Sequence, residues 1–326
     1  MSMINLLRRY TYFMLLVLMG FGLITACNFN HTNTSRSWNF LPPTNDCRII
    51  QHSMGGSCVE KNPQRIVALN PTTLGNAIAL GIKPIASVFE YDSRFPDYLD
   101  GKTKGIQPLG EQTQPNIERI ALLKPDLMIG WQHNHKSIYP QLSAIAPTVF
   151  YDWLGGNVRQ DNWKQYFNFM AEVLNRKETG EQVWQHYNQR VEQLKTALGD
   201  RYKNKTISFI FFCCGGILSE NSFAGSVLSD VGLERPPAQR DASKVGLRLS
   251  EERLDLADGD VIFVAIYGGR ERGDRDFKIL QQKPLWKKLK AVQENRVYYV
   301  EPTIWRGRTP LAADAVIDDL FKYLVK

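Results

Sequence analysis

Arginine and aromatic residues recur together in this sequence, each time just after a short apolar run. Tyr91 and Arg94 follow a run ending near Val88. Trp131 follows Ile129 and leads into Gln132-His133-Asn134-His135, and Trp153 follows Val149. Tyr267, Arg270 and Arg272 follow Val264, and Trp305, Arg306 and Arg308 follow Val300. A guanidinium meets oxygen anions with a planar fork of donors and also stacks on rings. An aromatic face accepts a cation or packs against another flat group. Together these residue types could hold an anionic small molecule. His133 and His135 are spaced as His-x-His, a pair able to ligate a metal. Bond chemistry has less to rest on. There is no Ser nucleophile elbow, no Gly-rich phosphate loop and no paired-cysteine metal motif, and Gly215-Gly216 and Gly268-Gly269 are short turns. No catalytic residue and no cofactor are expected.

The N-terminus bears on where such a site would work. Arg8 and Arg9 precede an apolar run from about Tyr12 to Leu23, too short for a comfortable membrane span. A basic start, a short apolar run and small residues describe a secretory signal. Its end, Ile24-Thr25-Ala26-Cys27, resembles the lipobox of bacterial lipoproteins, which implies cleavage before Cys27 and acylation of its thiol; a soluble secreted form is the alternative. Residues 1–26 are thus expected to be the signal peptide. Residues 27–46, rich in Asn, Thr, Ser and Pro, are expected to be a flexible tether. Export to an oxidising compartment makes a disulfide plausible between Cys47 and Cys58, which flank a hairpin-like segment with a Gly-rich turn. Cys213 and Cys214, adjacent after an apolar run, are read as two buried thiols, with a strained vicinal disulfide as the alternative.

The chain has 326 residues, 43% of them apolar, enough for two lobes of ordinary size. Its formal net charge is +7, about +5 once Arg8 and Arg9 are removed. Basic and acidic residues are interspersed, so nucleic acid is not an expected partner. A modest positive field suits an anionic small ligand.

After the tether, strand-like and helix-like patterns alternate. Arg65 to Leu69, Ile85 to Val88, Asp126 to Ile129 and Thr148 to Tyr151 read as strands. Thr72 to Leu80, Asn116 to Leu123 (with Asn116 as cap) and Ser137 to Ile145 read as helices. From Asp161 to about Leu198, apolar residues recur at helical spacing with few breakers, giving one long helix or two consecutive ones. Alternation then resumes with strands at Thr206 to Phe212, Asp260 to Ile266 and Arg296 to Val300, and helices at Phe223 to Val231 and Pro310 to Leu324. The pattern predicts an α/β protein of two lobes with mainly parallel central sheets joined by a long helix. The expected boundaries are 47–158 for the first lobe, 159–200 for the connector and 201–326 for the second lobe. A weak internal repeat relates the lobes. Glu118-Arg119-Ile120 through Asp126-Leu127 and Glu252-Arg253-Leu254 through Asp260-Val261 place a helix, a turn and a strand at the same offsets.

From Cys47 onward the chain resembles the periplasmic binding proteins of iron-siderophore, haem and cobalamin ABC importers. The resemblance rests on Asn62-Pro63-Gln64-Arg65-Ile66-Val67-Ala68-Leu69, on Leu80-Gly81-Ile82-Lys83-Pro84-Ile85, and most specifically on Asn116-Ile117-Glu118-Arg119-Ile120 through Lys124-Pro125-Asp126-Leu127-Met128-Ile129. It implies a ligand held between two lobes whose helical connector allows only small opening. The family's ligand residues lie on strand-end loops facing the cleft, which points to Arg94, Trp131, Trp153, Tyr267, Arg270, Trp305, Arg306 and Arg308. The resemblance also implies that one Glu on each lobe docks on the permease, here Glu118 and Glu252, with Glu251 as the alternative in the second lobe. A cousin class that binds bare zinc or manganese would want more than the five His present, so no direct metal site is expected. The implied protein is a monomeric, lipid-anchored receptor on the periplasmic side of the cell membrane. It would pass a ferric siderophore to an ABC permease and its ATPase. Haem, with Tyr267 or Tyr91 as axial ligand, and cobalamin are the alternative ligands; an envelope enzyme or scaffold lipoprotein is the alternative from another class.

Overall fold

The computed structural model describes residues 47–89, 94–153, 162–213, 216–220, 223–240, 246–249, 251–266 and 269–325; at 213, 216–220, 246–249, 251 and 269–274 only the backbone is described. The signal segment, Cys27, the tether, Tyr91, Cys214 and Tyr267 lie outside the described residues, and so do the side chains of Cys213, Glu251 and Arg270.

The described chain begins with the antiparallel hairpin β1 (Cys47–His52) and β2 (Gly55–Glu60), which the Cys47–Cys58 disulfide closes as expected. The hairpin covers the edge of the first sheet. Ser53 N–H donates to the Phe150 carbonyl at 3.1 Å, and the Ser57 hydroxyl donates to the Thr148 carbonyl at 2.9 Å. A buried polar edge is thereby satisfied.

That sheet holds β3 (Ile66–Ala68), β4 (Ala86–Phe89), β5 (Gln107–Glu111), β6 (Leu127–Trp131) and β7 (Thr148–Tyr151) in the order β5-β4-β3-β6-β7, every pair parallel. Its helices are α1 (Pro71–Ala79), α2 (Ile117–Leu123), α3 (Gln132–His135) and α4 (Tyr139–Ser143). Asn70 caps α1 by accepting from Thr73 N–H at 2.7 Å, and Asn116 caps α2 by accepting from Arg119 N–H at 2.8 Å.

The connector is α5 (Asn162–Val173) followed by α6 (Lys177–Leu198), the second of the two forms the sequence pattern allowed. Asn175 takes a left-handed conformation (φ 54°), and Arg176 N–H reaches back to the Ala171 carbonyl at 2.8 Å. That is a Schellman-type stop, for which Asn is well suited. The Arg48 guanidinium closes the same helix end, donating to the Glu172 and Val173 carbonyls at 2.9 and 2.8 Å.

The second sheet contains β8 (Ile207–Cys213), β9 (Gly216–Glu220), β10 (Gly246–Leu249), β11 (Val261–Ile266) and β12 (Val297–Tyr299), in the order β10-β9-β8-β11-β12. The parallel part of this sheet is flanked by an antiparallel edge. β8, β11 and β12 are parallel, but β9 runs antiparallel to both β8 and β10. Only two residues separate Cys213 from Gly216, and so short a connection admits only an antiparallel neighbour. The helices of this lobe are α7 (Phe223–Asp230), α8 (Gly269–Gln282), α9 (Pro284–Lys287), α10 (Lys290–Gln293), α11 (Pro302–Trp305) and α12 (Pro310–Leu320).

The internal repeat has a physical cause. Asp126, just before β6, accepts from Gln64 and Arg65 N–H at 2.7 and 2.8 Å, tying β6 to the start of β3. Asp260, just before β11, accepts from Thr206 N–H at 2.8 Å and ties β11 to the start of β8. Both lobes solve the same problem, which is to fix the register of two central parallel strands.

The connector belongs to both cores. Trp163 packs with Phe223, Phe209 and Trp305 in the second lobe, whereas Tyr166, Phe167 and Met170, less than two turns later on α5, pack with Leu80, Ile129 and Val149 in the first. Trp163 also donates its indole N–H to Ser226 Oγ at 2.7 Å, and Asp230 accepts from Lys164 and from the Tyr187 hydroxyl, both at 2.6 Å.

Candidate functional site

The C-terminal ends of parallel strands open onto a crevice, the usual ligand position in α/β sheets. In the first lobe β6 and β7 end side by side, with Trp131 paired to Tyr151. Trp153, two residues further on, stacks on Trp131 with centroids 4.8 Å apart and planes at 26°. His133 also stacks on Trp131, at 5.4 Å and 29°. Tyr166 meets both tryptophans edge-on at 6.0 Å, and its hydroxyl bonds to Thr73 Oγ1. Full burial pushes the Tyr166 phenol up, so it remains neutral. Trp131 itself is only 7% exposed, covered by these neighbours. Trp131 therefore underlies the platform, and Trp153 and His133 are its more accessible rings.

The second lobe brings the loop after α11. Arg306 lays its guanidinium over the Phe211 ring at 4.1 Å. Arg308, held in a left-handed conformation (φ 55°), donates from Nη1 to the Arg306 carbonyl at 3.0 Å. Its guanidinium carbon lies 5.9 Å from the Trp153 ring centre, so a second-lobe cation meets the first-lobe platform. Gly307 lets the loop approach this closely. A Cβ there would collide with Ala312 and come within 2.8 Å of the Thr303 carbonyl and 3.0 Å of the Tyr98 ring.

Trp305 corrects one expectation. It is fully buried, stacked on Phe263 at 4.4 Å and 27°, with its indole N–H donated to Asp319 Oδ2 at 2.8 Å. It anchors the loop that carries Arg306 and Arg308 and has no surface to offer a ligand. Arg94 is exposed and pairs with Asp97 at 3.2 Å. The two face Glu301 of the second lobe, whose carboxyl is pushed up by burial and by Asp97 and drawn back by Arg94. Arg270 lies at the start of α8 instead of in a loop.

The two histidines of the His-x-His pair diverge. His135 is fully buried, with Nε2 2.9 Å from the Gln112 carbonyl oxygen. His133 lies on the platform. Among the described residues no group of three or more His, Cys, Asp or Glu is placed to hold a metal. Glu118 and Glu252 are both exposed, the first in the opening turn of α2 and the second in the turn 251–257.

A family model described as periplasmic binding protein matches residues 66–303. The chain belongs to the periplasmic binding protein family. It is 33% identical over 333 residues to a probable siderophore-binding lipoprotein, YfiY, of Bacillus subtilis, covering 98% of this chain and 99% of that one. It is 30% identical over 266 residues to the achromobactin-binding periplasmic protein of Dickeya dadantii, covering 79% and 85%. Staphylococcus aureus SirA complexed with staphyloferrin B superposes with a TM-score of 0.73 at 26% identity, over 85% of this binding protein and 98% of SirA. The family is one of binding proteins, and the arrangement of rings and cations at the crevice has the form of a binding site.

Proposed function

We propose that this binding protein is a lipid-anchored receptor that captures an anionic ferric siderophore between its lobes and delivers it to an ABC importer. The observation that carries the reading is the meeting of Arg308 with the Trp131–Trp153 platform across the crevice. Such a site offers charge from one lobe and flat apolar surface from the other, and a ligand bridging them holds the lobes together. Relatives named for siderophore binding support the ligand class. Arg306 and Arg308 supply the positive charge, Trp153 a half-buried ring face and Trp131 its support. Arg94, Tyr267 and Arg270 complete the candidate set at other strand ends. Cys27 is the proposed lipid site, anchoring the protein on the periplasmic side of the cell membrane. Glu118 and Glu252 are the proposed docking acids, one on each lobe, acting on a permease that works with its own ATPase. No step in this role makes or breaks a bond.

Intrinsic fluorescence tests the reading, because Trp131 and Trp153 sit at the site. Ferric citrate, ferric achromobactin and ferric staphyloferrin B would be titrated against the purified protein. Saturable quenching by at least one ferric complex, absent with the iron-free compound, is expected. No saturable response to any of them would contradict the proposal.

A further inference from the structure

His133 lies on the ring platform of the first lobe. Its sequence partner His135 is fully buried with Nε2 turned to the Gln112 carbonyl, and among the described residues no metal-holding cluster includes either. Yet His133 is neither a core residue nor a bystander: its ring stacks on Trp131 beside the crevice. The charged groups facing it come from three directions. Arg308 approaches from the second lobe, Asp152 from the residue after β7, and His135 from its own helix. Burial first, and then Arg308, hold its imidazole below the ordinary value, while Asp152 and Asn134 pull the other way. A second cation beside Arg308 is therefore disfavoured.

An anion seated on Arg308 reverses this balance. It offsets the guanidinium charge and places negative oxygen near the imidazole, which favours imidazolium. We propose that His133 is a ligand-contacting residue that takes up one proton from solvent as an anionic ferric complex binds, so that capture tightens with acidity. This rests on the proposed ligand class and deepens it: the preferred complex carries negative charge at the end that meets Arg308 and His133. The ring stack already supplies flat surface without a charge, so a proton arriving only with the ligand adds attraction where it is needed.

The test uses wild type, His133→Gln and His133→Phe. Phe keeps a ring on Trp131 and cannot titrate, which guards against loss of the stack. Affinity for the three ferric complexes above would be measured from pH 7.5 to 5.5. Titration calorimetry would be run in two buffers of different ionisation enthalpy. Protonation of the siderophore itself affects all three proteins equally, so the readout is the difference between their pH slopes. Wild type should gain roughly five- to tenfold in affinity relative to both variants over this range, with proton uptake absent from the variants. Parallel slopes, or equal proton uptake in all three, would overturn the role of His133 while leaving the receptor reading intact. Failure of wild type to bind any of the three would instead overturn the receptor reading, and this inference with it.

Discussion

Arg308 and Trp153 come from opposite lobes, and the guanidinium carbon of one lies 5.9 Å from the ring centre of the other. An exposed cation–ring contact of this kind contributes about 0.5–1 kcal/mol, too little to hold two lobes shut. The connector, with Trp163 in one core and Tyr166 in the other, does more to fix their relation. The contact instead marks where a ligand able to use both groups would gain most.

Trp305 is predicted to matter for stability and not for recognition. Replacing it with Phe removes the donor to the Asp319 carboxylate, which burial already raises above the usual range. A loss of about 1–3 kcal/mol in urea unfolding is expected, the cost of an unmet buried acceptor. Ligand affinity under native conditions should change less than about threefold, well under 1 kcal/mol. A tenfold loss of affinity with unchanged stability would return Trp305 to the site.

How far the sequence reached is visible in particular elements. The helix Ile117–Leu123 with its Asn116 cap and the strand Thr148–Tyr151 were legible because capping and apolar runs are local signals. The matched Asp126 and Asp260 were legible as a repeat, although their work on the neighbouring strands was not. The strand Gln107–Glu111 was not legible, since Leu109 is its one buried residue and Pro and Gly interrupt the pattern. Trp305 misled because a loop aromatic after a strand can point either way, and only Phe263 and Asp319, distant in sequence, decide which. His133 was legible only as part of a loop with suitable groups and of a His-x-His pair from which no metal site was expected; its stacking on Trp131 is a tertiary fact with no sequence signature.

His52 gives a pH prediction. It ends strand β1 of the hairpin, half-buried, where Met54 and Phe150 N–H approach Nδ1 at 3.2 and 3.3 Å, and burial pushes its imidazole down to about 4. The unfolded chain binds the proton at the ordinary 6.5. The stability contributed by neutral His52 is therefore full above pH 6.5 and is lost progressively as pH falls from 6.5 through 4. The loss would reach at most about 3 kcal/mol. Urea unfolding at pH 7 and pH 4.5 should show a smaller acid loss in His52→Gln than in wild type. Equal acid losses would remove His52 from the explanation.

Glu118 and Glu252 are predicted to act on delivery alone. Both are exposed and lie at equivalent offsets before Asp126 and Asp260. Two charges far apart on a rigid body steer and orient an encounter more than they add affinity. Changing either to Ala should leave ferric-complex affinity unchanged and lower uptake in cells. A variant that lost affinity and uptake in step would place that residue in the crevice.

The hairpin disulfide closes a short loop, so Cys58→Ser should lower stability by about 3 kcal/mol at most. Because the hairpin covers the edge strand β7 through Phe150 and Thr148, faster hydrogen exchange is expected there than in β8. Uniform exchange across both sheets would show that the hairpin does not protect its edge.

The central claim is that an anionic ferric complex is held between the lobes, with Arg308 supplying charge to a ligand resting on Trp153. The most direct measurement is fluorescence titration of wild type, Arg308→Ala and Arg308→Lys with whichever of the three ferric complexes wild type binds most tightly. A charge-assisted hydrogen bond of about 1.5–3 kcal/mol corresponds to a roughly ten- to hundredfold loss of affinity in Arg308→Ala. Lys should recover only part of that loss, because a point charge does not reproduce a planar fork. Wild-type affinity in Arg308→Ala, with the fold intact by thermal unfolding, would contradict the account.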